Sequence, residues 1–238
     1  VEDYRVTILG GQPPVAVNDP RAVDASLYAT AENVQLTIGV ANGLLQNDSD
    51  PDSVAISVAE VNGVAASVGA VIAIASGAQI QVNADGSFTY DPRTSLTLDA
   101  LAVGQSFQDT FTYRVSDGLL PSGLATVTIT VNGQNDPPQA NDNSYFIDED
   151  TLLGGVNAIT DDTGLGADRD PDNGDIISIR SINGTPIGGT NNVVVTLPSG
   201  ATLTVSTFGA VETSRLTRPM ANWGNWVAVP PWTAATET

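Results

Sequence analysis

Two clusters of acidic side chains are spaced for cation chemistry. Asp48, Asp50 and Asp52 stand at alternate positions in Asp48-Ser49-Asp50-Pro51-Asp52, and Asp168, Asp170 and Asp172 do the same in Asp168-Arg169-Asp170-Pro171-Asp172, 120 residues further on. Three carboxylates this close repel one another unless a cation sits among them. The proline between the second and third fixes the backbone, which predicts that the three converge. Hard oxygen donors with no imidazole or thiol suit Ca²⁺. These are not EF-hands: the sixth positions are Ser53 and Asn173 rather than Gly, and the twelfth are Ala59 and Ile179 rather than Glu. One such loop alone reads as a solvated turn whose Asp oxygens cap backbone N–H groups. Two copies at matched positions favour the cation, and point to a tandem module rather than one active site.

The rest of the composition narrows the chemistry. The chain has 238 residues, a formal net charge of −19, 27 acids against 8 arginines, and no Lys, His or Cys. Nucleophile systems of the Ser-His and Cys-His kinds, ordinary zinc sites, Schiff bases and phosphate-loop lysines are therefore excluded. A carboxylate pair could hydrolyse glycosides, but with 27 acids no pair is singled out. Gly164-Leu165-Gly166 lacks a phosphate-binding context and reads as a turn. An acidic surface repels nucleic acid and anionic membrane and attracts divalent cations. No apolar run is long enough to span a bilayer, so this segment is not expected to insert. Acid density is greatest over residues 136–175, which hold eleven acids against Arg169 alone; Asp161 and Asp162 among them read as a solvated loop. The chain opens Val1-Glu2-Asp3, as a piece of a longer polypeptide would.

The loops need a scaffold, and the pattern around them has period two. Phe88 and Tyr90 flank Thr89; Phe111, Tyr113 and Val115 alternate with polar residues, as do Val127, Ile129 and Val131. Strands are expected at about 22–29, 34–40, 54–61, 67–75, 78–83, 87–91, 109–116 and 124–132, with one short helix-like stretch at Leu96–Val103. Asp85-Gly86 and Asp117-Gly118 supply turn signals. Spacing and length predict an all-β sandwich of the immunoglobulin type.

The scaffold also repeats. Pro13-Pro14-Val15-Ala16-Val17-Asn18-Asp19 is echoed by Pro137-Pro138-Gln139-Ala140-Asn141-Asp142, Val61-Asn62-Gly63 by Ile182-Asn183-Gly184, and Val6-Thr7-Ile8 by Val127-Thr128-Ile129. Residues 1–12 thus read as the end of a preceding repeat, 13–134 as a complete repeat, 135–210 as a partial one, and 211–238 as a divergent tail. The tail holds Trp223, Trp226, Trp232 and Met220 and lacks strand alternation. With suitable codons, a shifted reading frame over 211–218 would restore the repeat, so an out-of-frame tail is one expectation; the coding DNA would test it. The truncated second repeat is expected to be marginally stable with an open apolar edge.

In order along the chain stand Ala41-Asn42-Gly43-Leu44-Leu45-Gln46-Asn47-Asp48-Ser49-Asp50-Pro51-Asp52, Asp85-Gly86-Ser87-Phe88-Thr89-Tyr90, Gly104-Gln105, Asp109-Thr110-Phe111-Thr112-Tyr113-Arg114-Val115-Ser116-Asp117-Gly118, and Gly133-Gln134-Asn135-Asp136-Pro137-Pro138. Over about residues 1–205 this resembles the bacterial cadherin-like and VCBS tandem repeats of large secreted or surface adhesins, including the RTX type. The resemblance implies an immunoglobulin/cadherin-like sandwich, a bacterial extracellular location, and Ca²⁺ at domain junctions that stiffens a spacer in adhesion or biofilm attachment. The implied partners are neighbouring repeats of the same chain, with surface glycans or other cells met through other domains. Carried over by position, one junction would use Asn135, Asp136, Asp168, Asp170 and Asp172, with Glu32 reaching it from the other side. The equivalent upper set would be Asn18, Asp19, Asp48, Asp50 and Asp52. The linker Asn135-Asp136-Pro137 is less acidic than that of animal cadherins, and the Asp-Arg-Glu triplet is missing. The alternative is a carbohydrate-binding module of a secreted polysaccharide-acting protein, which would present an aromatic platform and which a glycan array would detect.

Overall fold

The computed structural model describes residues 11–52, 54–148, 151–187, 192–198 and 200–213, and the backbone of 233–236. The expected strand at Val6–Ile8 and the tail's Met220, Trp223, Trp226 and Trp232 lie outside these residues. The chain divides into two compact units, Val1–Gln134 and Asn135–Thr238.

Unit 1 is a sandwich of two four-stranded sheets. Its strands are β1 (Ala29–Ala31), β2 (Leu36–Ile38), β3 (Ser57–Val61), β4 (Val71–Ala73), β5 (Gln79–Val82), β6 (Phe88–Asp91), β7 (Ser106–Ser116) and β8 (Ala125–Asn132). One sheet has the order β1-β8-β7-β3 and the other β2-β6-β5-β4. β1 runs parallel to β8, with Ala29 opposite Thr130; β7 and β8 pair antiparallel from Ser106–Asn132 to Tyr113–Ala125. The alternation read from the sequence is the packing alternation. Phe111, Tyr113 and Val115 of β7, Val127, Ile129 and Val131 of β8, and Phe88 and Tyr90 of β6 all enter the core. Phe88 is the central ring, 5.4 Å from Tyr28 and 5.7 Å from Phe111 between centroids, in the tilted arrangements aromatic quadrupoles favour. The inward position of β7 before Phe111 is a carboxylate, Asp109, held by the hydroxyls of Tyr90 and Ser76.

Two local expectations change. The stretch expected as a strand over 22–29 is a 3₁₀ helix, Ala22–Tyr28, that reaches strand geometry only at Ala29. Its alternation buries a single side chain, Tyr28, whose hydroxyl donates to Asn42 O; Val23 stays exposed, so no second face demanded a strand. The helix-like stretch Leu96–Val103 is a run of turns, with the helical turn at Pro92–Thr94 instead. There Asp91 caps the Arg93 amide and Pro92 supplies the preset φ of a first helical position.

Unit 2 contains β9 (Val156–Asn157), β10 (Ile177–Ile182), β11 (Thr185–Pro186), β12 (Val193–Thr196), β13 (Thr202–Val205), β14 (Ala210–Thr213) and β15 (Thr233–Thr236). The sheet order β9-β14-β13-β12 repeats β2-β6-β5-β4 strand for strand. β14 runs to Thr213 and puts Val211 in the core, so three residues assigned to the tail continue the sheet. Its turn is the counterpart of the Asp85-Gly86 turn: Leu44 N donates to Gly86 O at 3.0 Å in unit 1, and Ala158 N to Gly209 O at 2.8 Å in unit 2. Both glycines have left-handed φ, +82° and +87°. A Cβ on Gly86 would come within 2.8 Å of Leu45, and one on Gly209 within 3.0 Å of the Ile159 backbone, so glycine survives there although the residues beside it changed. The tail, expected without strands, supplies β15. It pairs with β10 antiparallel, as β7 pairs with β3, and the register slips at Ile179/Ser181 as it does at Val58/Glu60. A strand edge offers unmatched N–H and C=O groups, and a short strand can satisfy them whatever its side chains.

Candidate metal centre

Each acidic loop is stitched to the segment that leads into its unit, by the same hydrogen bonds. In unit 1, Val15 and Ser49 exchange two backbone bonds, 2.8 and 3.1 Å; in unit 2, Gln139 and Arg169 do so at 2.7 and 3.0 Å. Two residues on, Val17 N donates to Asp48 Oδ1 at 2.8 Å and Asn141 N to Asp168 Oδ1 at 2.7 Å. The middle aspartate closes its own turn: Asp52 N donates to Asp50 Oδ1 at 2.7 Å, Asp172 N to Asp170 Oδ1 at 3.0 Å. The third receives the entry segment, Gln12 N on Asp52 Oδ2 and Asp136 N on Asp172 Oδ2. The three carboxylates of each loop thus each accept from a different amide; in unit 2, Asp170 and Asp172 still bring oxygens within 4.8 Å of each other. Pro51 and Pro171 shape the turn that the middle aspartate caps.

One oxygen per middle aspartate is left over. Asp50 Oδ2 and Asp170 Oδ2, at equivalent places, are buried with no hydrogen-bond partner, and so is Asp172 Oδ1. A buried carboxylate oxygen without a donor is costly. Burial pushes the Asp168 and Asp170 carboxyls above the usual range; the Asn141 and Asp172 amides pull them back in part. The one base in this stretch gives no relief, because Arg169 Nε donates to Gln139 Oε1 at 3.0 Å rather than to a carboxylate. Residues with spare anionic oxygens held off solvent fit a hard divalent cation.

Asn47 joins the site though the sequence did not single it out. Its amide donates to Val17 O and Asn18 O, both at 3.2 Å, and leaves Oδ1 buried and unpartnered beside the loop. Its position immediately before Asp48 was the available signal.

Other residues expected as ligands have structural partners. Asn18 Oδ1 accepts from Thr126 N at 2.8 Å and pins the entry segment to β8. Asp19 is buried, and its Oδ2 takes the Tyr113 hydroxyl at 2.9 Å; the same hydroxyl lies 3.2 and 3.1 Å from the two oxygens of Asp48. A phenol has one proton to give, so it cannot satisfy two carboxylates at once. Burial, with the Asp48 charge adding to it against the Tyr113 and Asn47 bonds, pushes the Asp19 carboxyl up to about 7. Burial also raises Asp48. Glu32 sits in the turn after β1, buried, with Oε1 accepting Gln134 N at 2.6 Å. Its own amide bonds Asn132 O, whereas Asn18 meets β8 at Thr126. Six strand residues, about 20 Å, separate the two ends, so within unit 1 Glu32 and Asp48 cannot share an ion. Asn135 Nδ2 bonds Asp136 O at 3.1 Å.

A comparison with curated proteins returned no match. The family profile described as the bacterial cadherin-like domain matches residues 13–133, from the entry segment of unit 1 to the end of β8, which is just over half of the 238 residues. With the two-sheet sandwich and its acidic entry loop, this places the chain in the bacterial cadherin-like domain family.

Proposed function

We propose that the chain is a calcium-binding structural repeat of an extracellular bacterial adhesin, a spacer stiffened by Ca²⁺ in cell adhesion or biofilm attachment, with neighbouring repeats of the same chain as its first partners. Cadherin-like domains form a structural and adhesive fold that is not typically enzymatic, commonly bind Ca²⁺, and in bacteria are typically extracellular. No described helix is long and apolar enough to cross a membrane.

The observation that carries the reading is the pair of unpartnered buried oxygens, Asp50 Oδ2 and Asp170 Oδ2, at the same point of two loops that share one hydrogen-bond scaffold. Asp50, Asp52 and Asn47 would hold an ion in unit 1; Asp136, Asp170 and Asp172 would hold one in unit 2. The ion supplies positive charge where the protein supplies only negative. The chain's part is to position the ligands: the Val15–Ser49 and Gln139–Arg169 bridges lock entry segment to loop, so an ion that ties the loop also restrains that segment. Because the ion binds only the assembled loop, it also stabilises the folded form. The carbohydrate-binding alternative finds less support, since among the described residues of unit 1 five of the six aromatic rings, Tyr28, Phe88, Tyr90, Phe111 and Tyr113, are buried and Phe107 alone is exposed.

Calorimetric titration with Ca²⁺ tests the reading. Asp50→Asn and Asp170→Asn should each weaken one ion about tenfold, roughly 1.4 kcal/mol. Chelator should lower the melting temperature of the wild type. Unchanged melting in chelator and no heat of binding at millimolar Ca²⁺ would end the proposal.

A further inference from the structure

The unit 2 loop carries a carboxylate that the unit 1 loop does not. Asp170, Asp172 and Asp175 each offer an oxygen such that all three lie within 4.8 Å of one another. Asp172 is 3% exposed; Asp136 N occupies its Oδ2, and its Oδ1 has no hydrogen-bond partner. Asp170 Oδ2 is likewise buried and unpartnered. Asn173-Gly174, with Gly174 at φ +97°, turns the chain so that Asp175 returns to the loop, and Asp175 N reaches Asp172 O at 3.4 Å. Between Asp52 and Ile56 unit 1 has Ser53, Val54 and Ala55, with no acid; between Asp172 and the corresponding Ile177 unit 2 has one residue more and Asp175 among them.

We propose that Asp175 is a ligand, with Asp170 and Asp172, of a Ca²⁺ ion held entirely by residues of unit 2, so that this loop binds its ion more tightly than the loop of unit 1. The inference rests on the calcium reading of the loops and adds to it a ligand and a ranking. Three like charges within 4.8 Å, two with an oxygen shut away from water, form a site only when a cation joins them. All donors are oxygens, which selects a hard cation, and the fixed number of acidic ligands sets its affinity. The additional carboxylate of the unit 2 loop, which the unit 1 loop lacks, therefore predicts two ions of unequal strength.

The test is a Ca²⁺ titration of the whole chain by calorimetry and equilibrium dialysis, comparing wild type, Asp175→Asn, Asp170→Asn and Asp50→Asn. The expected result is two classes of ion. Asp175→Asn and Asp170→Asn should each weaken the tighter one at least tenfold, while Asp50→Asn should weaken only the other. In chelator Asp175→Asn should melt no lower than wild type, since it removes one of three repelling charges. A fall there would mark Asp175 as structural support and overturn the assignment. An Asp175→Asn titration identical to wild type, with Asp170→Asn losing an ion, would overturn this inference and leave the calcium reading standing. No ion bound by the wild type at millimolar Ca²⁺ would sink both.

Discussion

Behind the acidic loop of unit 1 lie a carboxylate, Asp19, and a phenol, Tyr113; behind that of unit 2 lies an amide, Asn143. The backbone bonds set the correspondence: Val17 matches Asn141, so Asp19 matches Asn143, one residue beyond the Asp142 that closes the echoed segment. Both are buried, at 6% and 3% exposure, whereas Asp142 is exposed. Asn143 Nδ2 donates to Ala158 O at 2.8 Å, the carbonyl equivalent to Leu44 O, which the Tyr113 hydroxyl approaches at 3.4 Å. A neutral donor therefore supports the unit 2 loop, and a titrating cluster the unit 1 loop. At the entry the inequality reverses, with Gln12 in unit 1 where unit 2 has Asp136. One scaffold thus carries an anionic support and a neutral entry in the first unit, and a neutral support and an anionic entry in the second.

The largest expected effect tests whether the units stand independently. Phe88→Ala removes the central ring of the unit 1 core and should cost about 3–5 kcal/mol. Calorimetry should show the unit 1 transition falling and the other unmoved; a joint fall would mean the two cannot be treated as separate cores.

Acidity should separate them next. The Asp19 carboxyl is raised from 3.8 to about 7 in the folded state, so the folded chain binds the extra proton. Its contribution is complete below the unfolded value near 4 and is lost as pH rises through 7; Asp48 shifts in the same direction. In chelator, unit 1 should lose up to about 4 kcal/mol between pH 4 and pH 8. Asp19→Asn, which copies Asn143 of unit 2, should flatten that dependence. A pH profile left steep by the substitution would move the titration to another group.

Tyr113→Phe should cost unit 1 about 1–3 kcal/mol in chelator at neutral pH, because Asp19 and Asp48 lose their shared donor. The penalty should shrink at acid pH. A loss equal at all pH values would mean that packing rather than the hydrogen bond is at stake.

The smallest effect sharpens the entry difference. Gln12→Asp gives unit 1 the linker carboxylate of Asp136 and should tighten its ion several-fold, by about 0.5–1 kcal/mol. Titration showing no gain would confine the entry carboxylate's role to unit 2.

Much of this was legible in the residues. The alternation of Phe88, Tyr90, Phe111, Tyr113 and Val115 reads directly as inward-facing strand positions, because side chains on a strand change face at every step. The repeat was legible in Asn62-Gly63 and Asn183-Gly184, where the turn demands left-handed backbone and the chain supplies φ of 50° and 75°, then 47° and 76°. The 3₁₀ helix at Ala22–Tyr28 was not, because period two cannot distinguish a strand from a 3₁₀ helix that buries one residue. Nor was Asn47, since an amide preceding three aspartates has no spacing of its own.

The sequence by itself determined the all-β class, the tandem character and the all-oxygen donor set of the acidic loops, because these follow from local alternation, internal repetition and the absence of His and Cys. Tertiary structure alone decided which oxygens are spare. Asp48, Asp50 and Asp52 are the same residue at regular spacing, yet one is spent on the Val17 amide and Tyr113, one retains a buried lone oxygen, and one is taken by Gln12. That division depends on segments more than thirty residues away in the chain, whose hydrogen bonds leave no trace in local spacing.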